Sequence, residues 1–444
     1  MNGSCRLDSV RSKRQKPVMR TGDETATTSS AVNSHAHARQ SMNMILTTCA
    51  ACAAPLALDA PRCVRCKTRY CNATCQHDHW RLGHKQICKK IHRGGNAEQY
   101  NADKKCKEAI AVAVEACAED TKDQTCYICT EALHWKTKEG LVHECACRGT
   151  AGFAHVSCLA EQAKILVAEC EENNLDENAV DARWGRWHTC SLCEQCYQGV
   201  VSCALGWACW KSYVGRACVA PGAVVDLRSS AIQSLASGLG DAGRFDEALV
   251  VSQVHLSMAQ GAPLGRKDRW QTILEAQGNL AGIHHRAGRY QDALALMREV
   301  YGGMTSLFGD RHMRTLMAAS NVGRVLNQLR LYDEAKSLLC ATVPTSRQAL
   351  GNDHRLVLEL SSIYASALAN SDQDGDPSSK VLGDSVWTAA PNLENMVLAQ
   401  TIYEDVVRRM RRVLGPSHPT TRHVERNLEI VRGNVARTRA ARLG

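Results

Sequence analysis

Aromatic side chains are scarce in this chain: 5% of residues are Phe, Trp or Tyr, and only three are Phe. A large core must therefore be assembled from Ala, Leu, Val and Met, which favours helices over a β-sandwich. Long apolar runs are missing too. The densest, Val200 to Trp210, falls well short of the roughly 18 residues a membrane span needs, and it carries Ser and Gly. No secretory signal is recognisable, so the expected setting is cytoplasmic or nuclear, where thiols stay reduced. The charge is only mildly biased, a formal +9 over 444 residues. No basic stripe is interleaved with aromatics, so the charge makes no case for nucleic acid. The length suggests roughly three domains.

Against these absences stand 23 cysteines, far too many for an ordinary intracellular chain unless metals use them. Eight soft ligands fall between Cys49 and Cys88: Cys49-x2-Cys52, Cys63-x2-Cys66, Cys71-x3-Cys75 and His84-x3-Cys88. Eight is two complete tetrahedral zinc shells, and structural zinc is closed by four protein ligands. A Cys-x2-Cys pair sits on one tight turn with both sulfurs aimed at one metal, while His84 and Cys88 fall one helical turn apart. So short a segment buries too little apolar surface to fold alone. Metal binding must supply the folding energy, on the order of 10–16 kcal/mol per site. His77 and His79 are alternatives to His84, although neither has a Cys four residues on.

This spacing, with Tyr70 before Cys71 and with Gln76 and Trp80 before His84, resembles the MYND zinc finger. The resemblance implies interleaved pairs: Cys49, Cys52, Cys71 and Cys75 on one zinc, and Cys63, Cys66, His84 and Cys88 on the other. MYND fingers bind short, often proline-containing peptides of partner proteins and do no chemistry. Gln76 and Trp80 are then expected beside the peptide groove, with Trp80 as part of the finger's core the alternative. Lysine methyltransferases are sometimes built around such a finger, but nothing here resembles their flanking catalytic segments.

A second ligand series follows: Cys126-x2-Cys129, Cys145-x-Cys147, His155-x2-Cys158 and, after an acidic gap of thirty-one residues, Cys190-x2-Cys193. Seven Cys and one His again make a two-zinc module, with an inserted helix and loop before its last pair. Cys196 and His188 are alternative ligands. With Tyr127-Ile128 inside the first pair, Cys145-x-Cys147-Arg-Gly-Thr, and His155-Val-Ser-Cys158-Leu159, the order resembles the RING-CH (RING-variant) domain. That family's interleaving would place Cys126, Cys129, His155 and Cys158 on one zinc, and Cys145, Cys147, Cys190 and Cys193 on the other. The cofactor expected is therefore zinc, about four ions per chain. RING-CH domains act as ubiquitin ligases by docking a charged ubiquitin-conjugating enzyme and positioning its thioester, with no nucleophile of their own. Ile128 is expected in the loop that meets that enzyme.

From about Ser229 the cysteines stop, except Cys340, and a period appears. The turn motifs ending at Ala248, Ala293 and Ala335 step by 45 and then 42 residues. Twelve positions before each lies a small residue, Ala236, Ala281 or Gly323. A second signature, Gly309-x2-His312, Gly351-x2-His354 and Gly415-x2-His418, marks the unit ends, and its histidines read as caps or turn structure. Each unit reads as two helices, with small residues where two backbones approach closely. The pattern resembles tetratricopeptide repeats of the longer kind found in kinesin light chains. It implies a solenoid whose concave groove takes extended peptides or partner helices.

The expected fold is mainly α: two small cross-brace zinc modules followed by an α-solenoid of helix-turn-helix repeats. Residues 1–45 are expected to form a disordered basic, Ser/Thr-rich tail, with a nuclear-import signal or an organellar transit peptide as alternatives. The finger spans 46–92, a helical connector 93–120, and the second zinc module with a helical extension 121–220. Cys203, Cys209 and Cys218 read as buried thiols in that extension. The repeats span 228–437, with an inserted loop at 371–391, and a basic tail fills 438–444. The leading expectation is a zinc-binding scaffold for protein or peptide partners, with no membrane span and no reaction of its own. The alternative is a RING-CH-type ubiquitin ligase whose finger and repeats bind substrate.

Overall fold

The computed structural model describes residues 49–52, 54, 56, 60–147, 149, 151–216, 226–261, 265–371 and 393–443. The 1–45 tail, Cys218 and nearly all of the 371–391 insertion lie outside the described residues. Within them the chain is helix and turn, broken by isolated β-bridges at Arg62–Arg69, Val142–Ala154 and Thr189–Cys196. All three bridges stitch ligand-bearing loops. No described helix is long and apolar enough to cross a membrane.

The finger contributes α1 (Ala73–His79), a wide π turn at Trp80–His84, and α2 (Lys85–Arg93). Next come α3 (Ala97–Ala116), α4 (Val156–Glu172), α5 (Glu177–Trp184) and α6 (Gly199–Tyr213). The repeat half runs through α7 (Leu227–Asp241), α8 (Phe245–Gly261), α9 (Arg266–Arg286) and α10 (Tyr290–Phe308). It continues with α11 (Met313–Gln328), α12 (Tyr332–Leu350), α13 (Arg355–Asn370), α14 (Leu393–Val413) and α15 (Pro419–Leu443). Residues 438–443, set apart above as a tail, are the last turns of α15.

Consecutive helices from α6 onward pack against one another, the pattern of a solenoid. Its period has a steric cause. Ala248, Ala281, Ala293 and Ala335 are fully buried, and a Cβ on Gly323 would press within 3.1 Å of Leu339 Cδ1. The turns between units use Gly309, Gly351 and Gly415 at φ of +80°, +84° and +89°, where side chains are strained. Three residues on, His312, His354 and His418 each accept, through Nδ1, a backbone N–H two residues ahead, at 3.2 Å. These histidines cap helices. Ion pairs join the first helices of successive units: Arg286 to Asp241, Arg314 to Glu275 and Arg324 to Glu359. The fourth unit keeps the rule, with Ala365 and Ala399 both fully buried and the 371–391 stretch falling between its two helices.

The segment expected to be a connector has a larger role. Ala102, Cys106, Ala109 and Ala113 form a buried stripe on α3, and α3 packs along α6. Gln99 Nε2 donates to the Lys211 carbonyl at 3.2 Å and the Lys211 ammonium lies 3.6 Å from Asp103, so the two helices run antiparallel. They form a hairpin, and the second zinc module is inserted between its arms. Helix α6 is buried on nearly every side, as an all-round apolar helix must be. It meets α7 backbone to backbone. A Cβ on Gly238 would stand 2.5 Å from the Ser202 carbonyl oxygen, and one on Gly206 3.0 Å from that of Ser234. One continuous core therefore runs from Ala102 through the zinc module to Ile283.

Candidate metal centres

In the finger, Asn72 caps α1 by accepting the Cys75 N–H at 2.8 Å, which fixes Cys71 and Cys75 at the helix start. Cys71 Sγ lies 3.4 Å from Cys75 Sγ and 3.6 Å from Cys52 Sγ, and Cys49 completes the group. A tight turn, closed by the Lys67 N–H on the Cys63 carbonyl at 2.9 Å, carries Cys63 and Cys66. The π turn, opened at Gly83 (φ +136°), sets His84 Nε2 3.3 Å from Cys66 Sγ, and Cys88 Sγ lies 3.7 Å from Cys63 Sγ. His79 is occupied elsewhere, its Nδ1 3.1 Å from the Tyr70 hydroxyl, and His77 is exposed. Neither alternative to His84 stands in a ligand group.

In the second module His155 Nδ1 sits 3.4 Å from Cys129 Sγ and 3.6 Å from Cys158 Sγ, with Cys126 the fourth member. His155 Nε2 lies 3.3 Å from the Ala132 carbonyl, so it carries the proton and donates, leaving the Nδ1 lone pair free for a metal. The last group is Cys145, Cys147, Cys190 and Cys193, with Cys147 and Cys190 sulfurs 3.7 Å apart. Gly152, at φ +89°, lies so close that a Cβ there would be 2.7 Å from Cys147 Cβ. Cys196 and His188 fall outside both groups. The acidic gap forms the end of α4 and then α5. Its Trp184 and Trp187 rings lie 5.3 and 5.8 Å from the Tyr213 ring of α6.

These four groups fit zinc on two grounds. A tetrahedral shell with Zn–S bonds of about 2.3 Å spaces its sulfurs about 3.8 Å apart, close to the separations seen here. The second ground is charge. Burial pushes the Cys190 thiol up, yet the backbone N–H groups of Cys193 and Leu192, with the Cys145 and Cys147 thiols, hold it down at about 7. Burial, with lesser contributions from its neighbours, drives Cys145 up to about 11. In the finger, burial of Cys49 is outweighed by the N–H groups of Cys52, Cys71 and Ala51, which bring it to about 6, while Cys75 rises to about 12 beside Cys71. Adjacent sulfurs cannot all ionise without a cation among them. Two groups of four thiols and two of three thiols with one imidazole are donor sets that select zinc.

Of the residues expected at partner surfaces, Trp80 is 39% exposed and Ile128 36%, while Gln76 is half-buried. Trp80 stays outside the finger's core, which comprises Cys49, Cys63, Cys66, Tyr70, Cys88, Ile91 and Ala97. Leu192 was not singled out from the sequence, although it is 51% exposed in the turn between Cys190 and Cys193.

The architecture is that of a helical-repeat protein with zinc modules at its N-terminal end. Residues 49–88 match the MYND finger family, and residues 272–348 match the tetratricopeptide repeat family. Two solved structures of nearly identical TPR-like repeats from a Podosopora anserina kinesin light chain are similar to this chain, at 16% and 17% identity. They cover 59% and 58% of this chain and 98% and 97% of their own, with TM-scores of 0.35 and 0.34. BtubC of P. vanneervenii, 13% identical, covers 65% of this chain and 92% of its own at a TM-score of 0.30. No curated protein matches the chain.

Proposed function

We propose that this protein is a zinc-braced interaction scaffold, in which the finger and the solenoid hold protein partners and the metals hold the fold. The observation that carries this reading is the completeness of the donor sets. Each group offers four protein ligands, the closed complement of a structural site, so no coordination position is left for a substrate. The finger contributes exposed Trp80 beside half-buried Gln76, and a solenoid of stacked helical repeats is the kind of scaffold that offers a concave groove to extended peptides or partner helices. Elemental analysis of the purified chain tests the brace: about four zinc ions per chain support it, and about two would remove one module.

A second reading, a RING-CH-type ubiquitin ligase, has one specific observation in its favour. The Tyr127 hydroxyl and Ser191 Oγ share a hydrogen bond of 3.0 Å, tying the two ligand turns that expose Ile128 and Leu192. Such an apolar pair suits a ubiquitin-conjugating enzyme. Autoubiquitination against a panel of conjugating enzymes separates the two readings. Activity lost in both Ile128→Ala and Cys145→Ser supports the ligase, and silence with four zinc ions bound supports the scaffold alone.

A further inference from the structure

The insertion of the second zinc module into the α3/α6 hairpin encloses a groove of about 1370 Å³. None of its lining residues is a metal ligand or one of Gln76, Trp80 and Ile128. The floor is apolar, from Ile110 and Val114 of α3, Ala160 of α4 and Ala208 of α6. One wall is Trp135, 67% exposed.

The turn that carries Trp135 is held at both ends. The Thr137 N–H donates to Nδ1 of buried His134 at 3.1 Å, the Thr137 hydroxyl lies 2.8 Å from the same nitrogen and donates to the Glu139 carboxylate at 3.0 Å, and the Lys138 N–H donates to the His134 carbonyl at 2.9 Å. The Glu139 carboxylate accepts the Ser157 N–H at 2.7 Å and its hydroxyl at 2.8 Å, clamping the turn to the start of α4. On the other side Gly140 passes α3 so closely that a Cβ would meet Val114 Cγ1 at 2.8 Å. The indole is therefore presented over the groove by a rigid support. A preorganised anchor loses little entropy on binding, and Trp is enriched among residues that dominate interfaces.

The rim is lysine-rich: Lys107, Lys136, Lys138, Lys164 and Lys211 face only Glu115, Glu139 and Glu161. Glu139 is engaged in the clamp, Lys164 pairs with Glu161, and Lys211 pairs with Asp103. Lys107, Lys136 and Lys138 enter no ion pair among the described residues, which leaves the rim with uncompensated positive charge.

We propose that this groove docks an acidic amphipathic segment of a protein partner, its apolar face on Trp135 and Ile110 and its carboxylates on Lys107, Lys136 and Lys138. The volume exceeds the roughly 300–1,000 Å³ of small-molecule pockets and suits a helix or extended peptide. The proposal goes beyond the scaffold reading, which stands on the finger and solenoid whether or not the groove binds.

The test uses the full-length, zinc-loaded chain and a fluorescent amphipathic peptide of roughly 18 residues, about five helical turns, with Leu and Phe on one face and Glu on the other. Micromolar binding is expected by anisotropy, weaker at high salt. Trp135→Ala, a change at an exposed side chain, should weaken it about tenfold, and Lys136→Glu with Lys138→Glu severalfold, with zinc content and helical signal unchanged. Cys71→Ser, which alters only the finger, should leave it intact. A peptide with Lys in place of Glu should not bind. Equal binding by wild type and both groove variants overturns the proposal. So does no binding at about 0.1 mM, or displacement of the peptide by an oligouridylate of equal charge.

Discussion

The two zinc modules use the same ligand chemistry but are coupled to the rest of the chain in different ways. The finger has its own core of seven buried residues, which meets α3 at Ala97 and half-buried Tyr100, and among the described residues it is tied to the helices by the Ala97 N–H on the Cys66 carbonyl at 2.8 Å and by packing of α2 on α3. The second module shares one core with α3, α6, α7, α8 and part of α9. A metal in the finger therefore supports about forty residues, whereas a metal in the second module also closes the hairpin on which the solenoid begins. Equivalent sites by chemistry are unequal sites by mechanics.

The sharpest way to break this comparison is to remove one ligand from each module. Cys190→Ser should lose zinc at a site worth on the order of 10 kcal/mol, comparable with the whole stability of a domain. Backbone amides of α6 and α7 should then exchange freely. Cys71→Ser should cost the finger its fold and leave the helical circular dichroism of the repeats intact. Wild-type protection of α6 in Cys190→Ser would mean that the hairpin closes without its metal.

The next effect separates the helical core from its metals. His255 of α8 is buried, sharing a hydrogen bond of 2.7 Å with Ser229 Oγ of α7, and burial pulls its pKa down to about 4. In the unfolded chain the value is about 6.5. Between those values the unfolded state binds more protons, so this contribution is complete above about pH 6.5 and is lost as the pH falls toward 4. From pH 7.5 to 5 the loss should be about 2 kcal/mol. Zinc ligands also titrate on acidification, in wild type and His255→Gln alike, so the difference between their pH–stability curves isolates this histidine. Parallel curves would refute the assignment.

A third test concerns the seam where the hairpin meets the repeats. Gly238→Ala forces a Cβ to 2.5 Å from a backbone oxygen and should cost about 1–3 kcal/mol. Gly282→Ala, with nothing within 4 Å of its Cβ, should be neutral or stabilising by up to about 1 kcal/mol. Equal melting temperatures in the two variants would show that α6 and α7 do not approach as described.

What the sequence made legible, and what it hid, follows the same division. Ligand spacing announced both modules because tetrahedral coordination demands short paired steps, and the repeats announced themselves through the small residues their close packing requires. The hairpin was illegible. The buried stripe of α3 is Ala102, Cys106, Ala109 and Ala113, small residues that read as an Ala-rich helical connector, and its partner α6 lies beyond the whole inserted module. Leu192 and Trp135 carried no pattern at all, because exposure of a single apolar side chain has no periodicity. In the fourth unit the insertion displaced Ala399 from its expected step after Ala365, so only the Gly415-x2-His418 end was visible.

The smallest prediction exploits a departure from the repeat's own rule. The turn between the paired helices uses Gly243 and Gly288, both at φ +74°, but the third unit places Arg330 there at φ +61°. A side chain in the left-handed region is strained, which glycine relieves, while glycine's greater freedom in the unfolded chain offsets part of the gain. Arg330→Gly should therefore stabilise the repeats by about 1 kcal/mol or less, read as a rise in urea midpoint with unchanged slope. The finger's zinc affinity should not move, since this turn lies in the solenoid and touches neither module. A lower midpoint would mean that the Arg330 side chain contributes more to the solenoid than its backbone strain costs.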